Sequence, residues 1–431
     1  MSRVDLIIRG RRVYTPAGFT AASIHITEGL IASLRPFEDT EGAPVFEAGE
    51  FPVLPGIVDT HVHINDPGRT EWEGFETATM AAAAGGVTTL VDMPLNSIPA
   101  TTSVAGLHAK MDAARGRCWV DVGFWGGVVP GNTDQLEALV AAGVLGFKCF
   151  LAPSGVDEFQ HVKEADLRLA APELTRLGAA LLVHAESPGK LRAISGDPRV
   201  YRNYLNSRPC AAELEAIALM IQISREYGTR VHIVHLSCAD ARPMLHEARA
   251  EGLPVTVETC PHYLTFAAED IPDGATEFKC APPIRERKNA ERLLAALEEG
   301  VIDLVATDHS PCPPAMKSGD FATAWGGIAS LQLSLGIMWG VRPERVAQWM
   351  SAAPARLAGL ASRKGAIAPG FDADIVVWNP VDKPGTLYHR HKLTPYRMET
   401  GAVVATFLRG RKIYERGYFG SAPIGEILRS F

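Results

Sequence analysis

The stretch Val58-Asp59-Thr60-His61-Val62-His63-Ile64-Asn65-Asp66-Pro67-Gly68 decides how the rest of this sequence is interpreted. Apolar residues lead into it and an Asp-Pro-Gly turn signal closes it, which predicts a buried strand that stops at the turn. Side chains two positions apart in a strand project from the same face. His61 and His63 should therefore point together, as two ligands of one metal ion do. Taken alone, the pair fits two hydrogen-bonded core histidines equally well.

The composition of the 431-residue chain limits the class of protein it can belong to. Hydrophobic residues make up 47%, charged residues make up 21%, and the net charge is −7. These values predict a large folded core and give no sign of a nucleic-acid partner. No apolar run is long enough for a membrane span, and the first ten residues lack a signal-peptide core. Seven singly placed cysteines are typical of a cytoplasmic protein with reduced thiols.

The two ends of the chain share a pattern that its middle lacks. Residues 1–52 and 364–431 contain short alternating segments broken by Gly, Pro and acidic residues, which predict short strands. The run Arg-Gly-Arg-Arg-Val-Tyr at 9–14 is similar to Arg-Gly-Arg-Lys-Ile-Tyr at 409–414. We interpret both ends as the two parts of one small β-sandwich, with residues 53–363 inserted between them.

The middle of the chain alternates apolar, strand-like segments with helix-like segments. Eight such units predict an α/β fold of the (β/α)8 TIM-barrel type. The segments are almost continuously apolar, as parallel strands buried on both faces are. The candidate strands cover residues 53–64, 86–93, 119–129, 144–151, 179–186, 230–237, 254–260 and 302–309.

Six side chains that could bind metal stand at the C-terminal ends of five of these strands. Those ends meet at one mouth of a (β/α)8 barrel, where active sites lie, so we expect the six to form one site. Neutral histidine nitrogens with one carboxylate oxygen suit zinc or a similar divalent ion. The six residues are His61, His63, Lys148, His184, His235 and Asp308.

Lys148 needs its own explanation, because a protonated amine repels metal ions. Burial favours the neutral amine, which can react with carbon dioxide to give a carbamate, an N6-carboxylated lysine. The carbamate is anionic and could bridge two metals; the alternative is a strand-end lysine that extends to solvent. We expect a hydroxide bridging two metals to attack an amide carbonyl, with Asp308 as general base and then general acid.

With these residues the chain resembles the cyclic amidohydrolases of the amidohydrolase superfamily, which include dihydroorotases, hydantoinases, dihydropyrimidinases and allantoinases. The resemblance covers essentially the whole chain. It implies a binuclear metal site with a carbamylated lysine at Lys148, a barrel with a β-sandwich from both termini, and a homotetramer. Zinc is the expected metal, although nitrogen-rich sites also accept manganese, cobalt or iron.

Several stretches are most similar to the allantoinase branch of this family. Its members hydrolyse a ring amide of the small molecule allantoin to give allantoate, a step of purine degradation. The residue ranges that carry the similarity are 67–74, 92–96, 146–150, 260–263, 308–314, 324–328 and 388–392.

Two positions favour an uncharged ring amide as the substrate. Dihydroorotases place an arginine two residues after the second histidine to bind a carboxylate, and the residue here is Asn65. Hydantoinases commonly have a tyrosine shortly after the carbamylated lysine, whereas residues 152–155 read Ala-Pro-Ser-Gly. One departure from the branch is Ala281, where allantoinases often have serine. We expect the substrate to lie against Asn65, Asn96, Ala281, Gly327 and Ile328.

Two other functions are compatible with the sequence. A hydantoinase, dihydropyrimidinase or dihydroorotase would keep the same metal site and open a different ring. A scaffold without activity would keep the fold for protein binding, but such relatives lose metal ligands and this chain has all six types.

Overall fold

The computed structural model describes residues 3–15, 17–40 and 42–430. Within these residues the strands are β1 (Leu6–Thr15), β2 (Gly18–Thr27), β3 (Leu30–Pro36), β4 (Val45–Pro55), β5 (Ile57–Val62), β6 (Val87–Asp92), β7 (Asp121–Phe124), β8 (Gly126–Gly127), β9 (Phe147–Phe150), β10 (Leu181–His184), β11 (Val231–Ile233), β12 (Val255–Thr259), β13 (Leu304–Val305), β14 (Ile375–Asn379), β15 (Ala402–Leu408), β16 (Arg411–Glu415) and β17 (Tyr418–Phe419).

Helices follow most of the strands in the middle of the chain. The α-helices are α1 (Phe75–Ala84), α2 (Val104–Ala114), α3 (Leu136–Ala142), α4 (Glu164–Arg176), α5 (Tyr201–Ser207), α6 (Cys210–Tyr227), α7 (Arg242–Ala250), α8 (Pro261–Thr265), α9 (Arg287–Glu298), α10 (Ser334–Val341) and α11 (Ala353–Leu357). No helix of the described residues is both long enough and apolar enough to cross a bilayer.

The strands β5 to β13 form a parallel barrel of eight strands, because β7 and β8 are two parts of the strand predicted at 119–129. One sheet joins β5, β6 and β7, and a second joins β8 to β13 in chain order. The first and last strands meet where Val62 and His309 form a parallel bridge. There the Thr307 hydroxyl also donates to the Asp59 carboxylate at 2.6 Å. The predicted (β/α)8 fold is confirmed.

The predicted strand 53–64 is two strands, and this part of the prediction is wrong. Residues 53–55 end β4 in the terminal sheet, and the barrel strand β5 begins after Gly56. A Cβ at Gly56 would lie 2.2 Å from the Thr88 Oγ1 atom, so only glycine fits where the chain passes from one sheet to the other. Both strands are buried there, so the apolar run continues through the break and hides it.

Strands from both ends of the chain form one eight-stranded sheet, in the order β17-β16-β15-β14-β4-β1-β2-β3. β14 lies antiparallel to β4, with Ile375 opposite Pro55. An apolar cluster that includes Ile24, Val53 and Phe407 fills its core. The prediction that both termini build one β-domain is confirmed.

The limits of the three predicted segments, 1–52, 53–363 and 364–431, stay predictions. Residues 1, 2, 16, 41 and 431 lie outside the described residues.

A buried charge cluster joins the barrel to the terminal sheet. Lys364 Nζ donates to Asp121 Oδ2 at 2.6 Å and to Asp374 Oδ2 at 2.6 Å, and lies 2.8 Å from Asp372 Oδ2. Arg409 also donates to Asp121. Burial lowers the pKa of Lys364, but the three carboxylates outweigh this effect and hold it above its ordinary value. The ammonium group is therefore charged and compensates the buried carboxylates.

Replacing Lys364 with methionine should destabilise the protein, because three buried carboxylates lose their shared cation. Removal of one partner of a buried ion pair costs about 3–5 kcal/mol. Chemical denaturation should show this loss for Lys364→Met. The matched control is Lys412→Met, whose partner Glu415 is exposed and whose loss should cost about 1 kcal/mol or less. Equal midpoints for the two variants would contradict a stabilising role for the cluster.

Candidate active site

The six predicted ligand side chains lie at the C-terminal ends of barrel strands. His61 lies in β5, Lys148 in β9, and His184 is the last residue of β10. His63, His235 and Asp308 follow β5, β11 and β13. All six residues are buried, with at most 8% of each residue exposed. The barrel therefore brings together side chains from five strands that are far apart in the sequence.

Three of these side chains converge on one point. His61 Nε2 lies 3.2 Å from Asp308 Oδ1, and His63 Nε2 lies 3.4 Å from the same oxygen. The ligand atoms of the three residues all lie within 4.8 Å of one another. Two nitrogens and one carboxylate oxygen at this spacing are a donor set that can hold a divalent metal ion.

His184 and His235 form a second pair beside the first group. His184 Nδ1 lies 3.0 Å from His235 Nε2, and the ring centroids of His61 and His235 are 5.4 Å apart. The Phe150 ring stacks on His184 with centroids 4.6 Å apart. The second pair thus faces the first group across a short gap and is supported from behind by an aromatic ring.

Lys148 is fully buried next to these histidines. Its Nζ lies 4.9 Å from the centroid of the Phe150 ring and has no hydrogen-bond partner among the described residues. Burial lowers the pKa of Lys148 to about 8, although Glu258 and Asp308 raise it in part. A buried amine without a partner is energetically costly, and at this pKa a substantial fraction of it is neutral near pH 8.

Glu258 and Glu186 fix the ring nitrogens of the histidines. The Glu258 carboxylate accepts from His61 Nδ1 and, at 3.1 Å, from His232 Nε2. Glu186 Oε2 accepts from His184 Nε2 at 2.7 Å. Each of these bonds places a proton on the ring nitrogen that faces away from the site. His61 Nε2 and His184 Nδ1 are therefore the ring nitrogens that a metal ion would bind.

The electrostatics of the site differ from one histidine to the next, since burial lowers the pKa of His63, His184 and His235. Burial lowers the pKa of His61, but Asp308 and Glu258 outweigh this effect and raise it to about 9. Burial raises the pKa of Asp308, but His61 and its other histidine neighbours hold it well below the usual range of a carboxyl. Asp308 is therefore ionised, and a metal ion that binds His61 must displace a proton from it.

Several residues of the site have a left-handed backbone conformation. Asn65, Asn96, His235 and Asp308 have φ angles of 65°, 68°, 40° and 46°. Such angles are uncommon outside glycine and occur often at functional sites. They turn the chain sharply where each strand ends, which directs the neighbouring side chains toward the barrel mouth.

His309 anchors the loop that carries Asp308. Its Nδ1 accepts from the backbone N–H of Ser330 at 3.1 Å, and its Nε2 lies 3.5 Å from Glu73 Oε2. The His389 ring lies 4.7 Å from the His309 ring, measured between centroids, and Arg390 donates to Glu73. The C-terminal segment 388–391 is therefore connected to the loop of Asp308 through the Glu73 carboxylate.

The histidines open into a small inner cavity of about 80 Å³, which joins a larger outer cavity of about 940 Å³. The two cavities share the residues Pro153, Ser154, Arg208, Ala281, Trp325 and Gly326. Leu95, Asn96, Phe150 and Ser310 complete the inner wall together with five of the six predicted ligands, all but Lys148.

Of the residues predicted to face the substrate, Asn96 and Ala281 line the inner cavity. Asn65, Gly327 and Ile328 do not line the inner cavity among the described residues. Asn65 Nδ2 donates to the Pro311 carbonyl at 3.4 Å. Ile328 is 1% exposed and forms a bridge with His309. A substrate contact for these three residues stays a prediction.

Sequence reasoning missed several residues of the site. Glu186, two residues after His184, and Glu258, a carboxylate inside an apolar strand, could have been found from strand alternation. Arg208 and Trp325 come from loops with no periodic signal, and the sequence offers no sign that they reach the cavity. Arg208 donates to both carboxylate oxygens of Glu186, so it helps to hold His184.

Comparison with known proteins gives consistent results. The model of the amidohydrolase family matches residues 53–413. The allantoinase of Streptomyces avermitilis is 50% identical over 444 aligned residues, which cover 99% of both chains. The allantoinase of Arabidopsis thaliana is 43% identical, over 97% of this chain and 90% of its own. The solved L-hydantoinase (dihydropyrimidinase) from Arthrobacter aurescens covers 99% of this chain and 100% of its own, with a TM-score of 0.94 at 31% identity.

Glu258→Gln should weaken the binding of divalent metal ions to this site. The amide is neutral and cannot accept equally well from both His61 and His232, so His61 loses its fixed orientation. Loss of a carboxylate that orients a ligand typically costs about 10–100-fold in metal affinity, which competition with a chelator measures. Glu269→Gln, at an exposed carboxylate, is the control. Unchanged affinity in a folded Glu258→Gln protein would contradict this role.

Proposed function

The chain belongs to the amidohydrolase family, and from this premise we propose that it hydrolyses the hydantoin ring amide of allantoin to give allantoate, a step of purine degradation. The observation that carries the proposal is the similarity to allantoinases over nearly the whole chain. Relatives of this name from a bacterium, a plant and a yeast are between 43% and 50% identical to it. The protein is a hydrolase of cyclic amides.

The proposal includes two divalent metal ions, with zinc as the first choice. The donor atoms, their spacing and the fixed ring tautomers support this set of ligands. When bound, such ions acidify a water molecule and polarise the amide carbonyl. The residues that would hold them are His61, His63, Lys148, His184, His235 and Asp308.

Lys148 takes part as a carbamate. Its neutral amine attacks the carbon of carbon dioxide and loses a proton, which gives an anion with two oxygens. Complete burial, the absence of a hydrogen-bond partner among the described residues and a pKa of about 8 support this reaction. The carbamate would place two anionic oxygens on Lys148 as metal ligands, in place of an uncompensated buried amine.

Asp308 transfers the proton of the reaction. Its carboxylate lines the inner cavity and is ionised, because its pKa lies well below the usual range. It can therefore accept a proton from the attacking water and donate it to the ring nitrogen that leaves. Its left-handed backbone conformation and the anchoring of His309 keep it in place for both steps.

The charge of the inner cavity suits an uncharged ring. Arg208 is the one arginine or lysine among the described residues that line this cavity, and both of its donor contacts to a carboxylate go to Glu186. Within the inner cavity, no unpaired arginine or lysine of the described residues is thus left for a substrate carboxylate. This observation disfavours a dihydroorotase, as does Asn65. The likeness to a solved hydantoinase makes a hydantoinase or dihydropyrimidinase the second candidate.

Two further properties belong to the proposal. The resemblance to cyclic amidohydrolases implies a homotetramer, and sedimentation would measure the number of chains in the assembly. A cytoplasmic location is supported by seven cysteines that are all free, as in a reducing compartment.

A panel of cyclic amides should identify allantoin as the main substrate. Protein produced with zinc and bicarbonate would be assayed with allantoin, hydantoin, dihydrouracil and dihydroorotate, and kcat/KM compared. We expect the highest kcat/KM for allantoin and the lowest kcat/KM for the charged dihydroorotate. A higher value for hydantoin or dihydrouracil would favour the second candidate, and metal-loaded protein that opens none of the rings would contradict the proposed function.

Asp308→Asn should reduce kcat strongly while most of the metal stays bound. The amide cannot carry the proton, and loss of a general base typically costs about 100–10,000-fold. Turnover and metal content would be measured on the same preparation. Asp112→Asn, at an exposed carboxylate of α2 whose side chain is 67% accessible, should behave as wild type. Near-normal turnover in Asp308→Asn would show that another group moves the proton.

A further inference from the structure

Cys210 and Cys238 form a thiol pair outside the six metal-binding residues. Cys210 is the first residue of the 18-residue helix α6, and Cys238 follows β11 just before a 3₁₀ turn at Ala239–Ala241. Their two Sγ atoms and a carboxylate oxygen of Asp240 all lie within 4.8 Å of one another. Both cysteines are free, so two thiols from distant parts of the chain face each other without a bond.

The surroundings of Cys210 favour its thiolate. The thiol lies at a helix N-terminus, where partial positive charge stabilises an anion. The guanidinium of Arg285, 4% exposed, lies close by and donates to Glu213 Oε1 at 2.5 Å. Its Nε atom has no hydrogen-bond partner among the described residues. The guanidinium therefore acts on the Cys210 thiol through its charge and not through a hydrogen bond.

The two thiols are electrostatically different. A hydrogen bond from Cys238 and the charge of Arg285 lower the pKa of the Cys210 thiol, against the opposing effects of burial, Glu213 and Asp240. The hydrogen bond with Cys210, together with burial, raises the pKa of the Cys238 thiol. Cys210 therefore has the properties of an attacking thiolate, and Cys238 those of a thiol that reacts second.

The other five cysteines lack this combination. Each is buried, and burial raises the pKa of its thiol. Cys210 alone among the seven is partly exposed, so a small oxidant can reach it. The five buried cysteines, with which the oxidation of Cys210 can be compared, are Cys118, Cys149, Cys260, Cys280 and Cys312.

We propose that Cys210 and Cys238 are a site of reversible disulfide formation that reacts with hydroperoxides. The Cys210 thiolate attacks one oxygen of hydrogen peroxide, the O–O bond breaks, and hydroxide leaves and takes up a proton. The Cys238 sulfur then attacks the resulting sulfenic acid, the S–O bond breaks, and the oxygen leaves as water with the Cys238 proton. Two thiols are oxidised by two electrons, and one peroxide is reduced to two waters.

The surrounding structure already holds the two thiols together. Glu213, in the first turn of α6, accepts from the backbone N–H of Ser237 at 2.9 Å and of Cys238 at 3.1 Å. Disulfide formation would bring the two sulfur atoms from their separation of at most 4.8 Å to about 2.05 Å. The bond would tie the start of α6 to the segment that begins with His235. A dithiol reductant would reverse it by exchange.

The test uses the reduced, metal-loaded full chain and hydrogen peroxide. Free thiols would be alkylated after brief exposure, and the protein digested without reductant for mass spectrometry. We expect a linked Cys210–Cys238 peptide that disappears after treatment with dithiothreitol. In Cys238→Ser, the oxidised Cys210 should instead be trapped by a reagent for sulfenic acids. Cys118→Ser is the matched control and should give as much linked peptide as wild type.

Two results would overturn the proposal, and neither depends on the ring-opening activity. One is oxidation of Cys210 no faster than that of Cys312, with no linked peptide in protein that keeps its fold. The other is a stoichiometric zinc ion held by Cys210, Cys238 and Asp240 that prevents the linked peptide from forming, because the cluster would then be a metal site.

Discussion

The Glu258 carboxylate organises the centre of this protein. It has no exposed surface and accepts from His61 Nδ1, from His232 Nε2 and, at 3.3 Å, from the backbone N–H of His235. Burial raises its pKa, but the histidines outweigh this effect and lower it to about 2, so it is an anion inside the barrel. A buried anion is tolerated only when it is fully hydrogen-bonded. Its partners lie in β5, in β11 and just after β11, so it fixes the rings of His61 and His232 and the backbone of His235.

Much of the architecture follows from sequence patterns, and the errors have physical causes. The barrel strands are predictable because buried parallel strands are apolar throughout, and the six predicted ligand residues can be placed from their positions in or just after those strands. The break at Gly56 is hidden because β4 and β5 are both buried there. Strand alternation predicts the face of the sheet from which a side chain projects, but it does not predict the residue that this side chain contacts across the barrel.

The walls of the cavity were harder to predict than its centre. Trp325, Arg208 and Ser154 come from loops after different strands, and their positions depend on contacts between distant parts of the chain. Asn65 was expected at the substrate, yet its left-handed backbone and its bond to the Pro311 carbonyl place it outside the inner wall. Residues at the end of a strand are positioned by the barrel, whereas loop residues are positioned by one another.

The central claim is that Lys148 is a carbamate that would supply oxygen ligands to the metal site, which would account for a buried amine without a hydrogen-bond partner among the described residues. Protein loaded with metal in the presence of ¹³C-labelled bicarbonate can be examined by ¹³C NMR. The account predicts a carbamate carbon signal that is present in the active protein and absent from Lys148→Arg, together with two bound ions per chain. Full activity in protein that shows no such signal would contradict it.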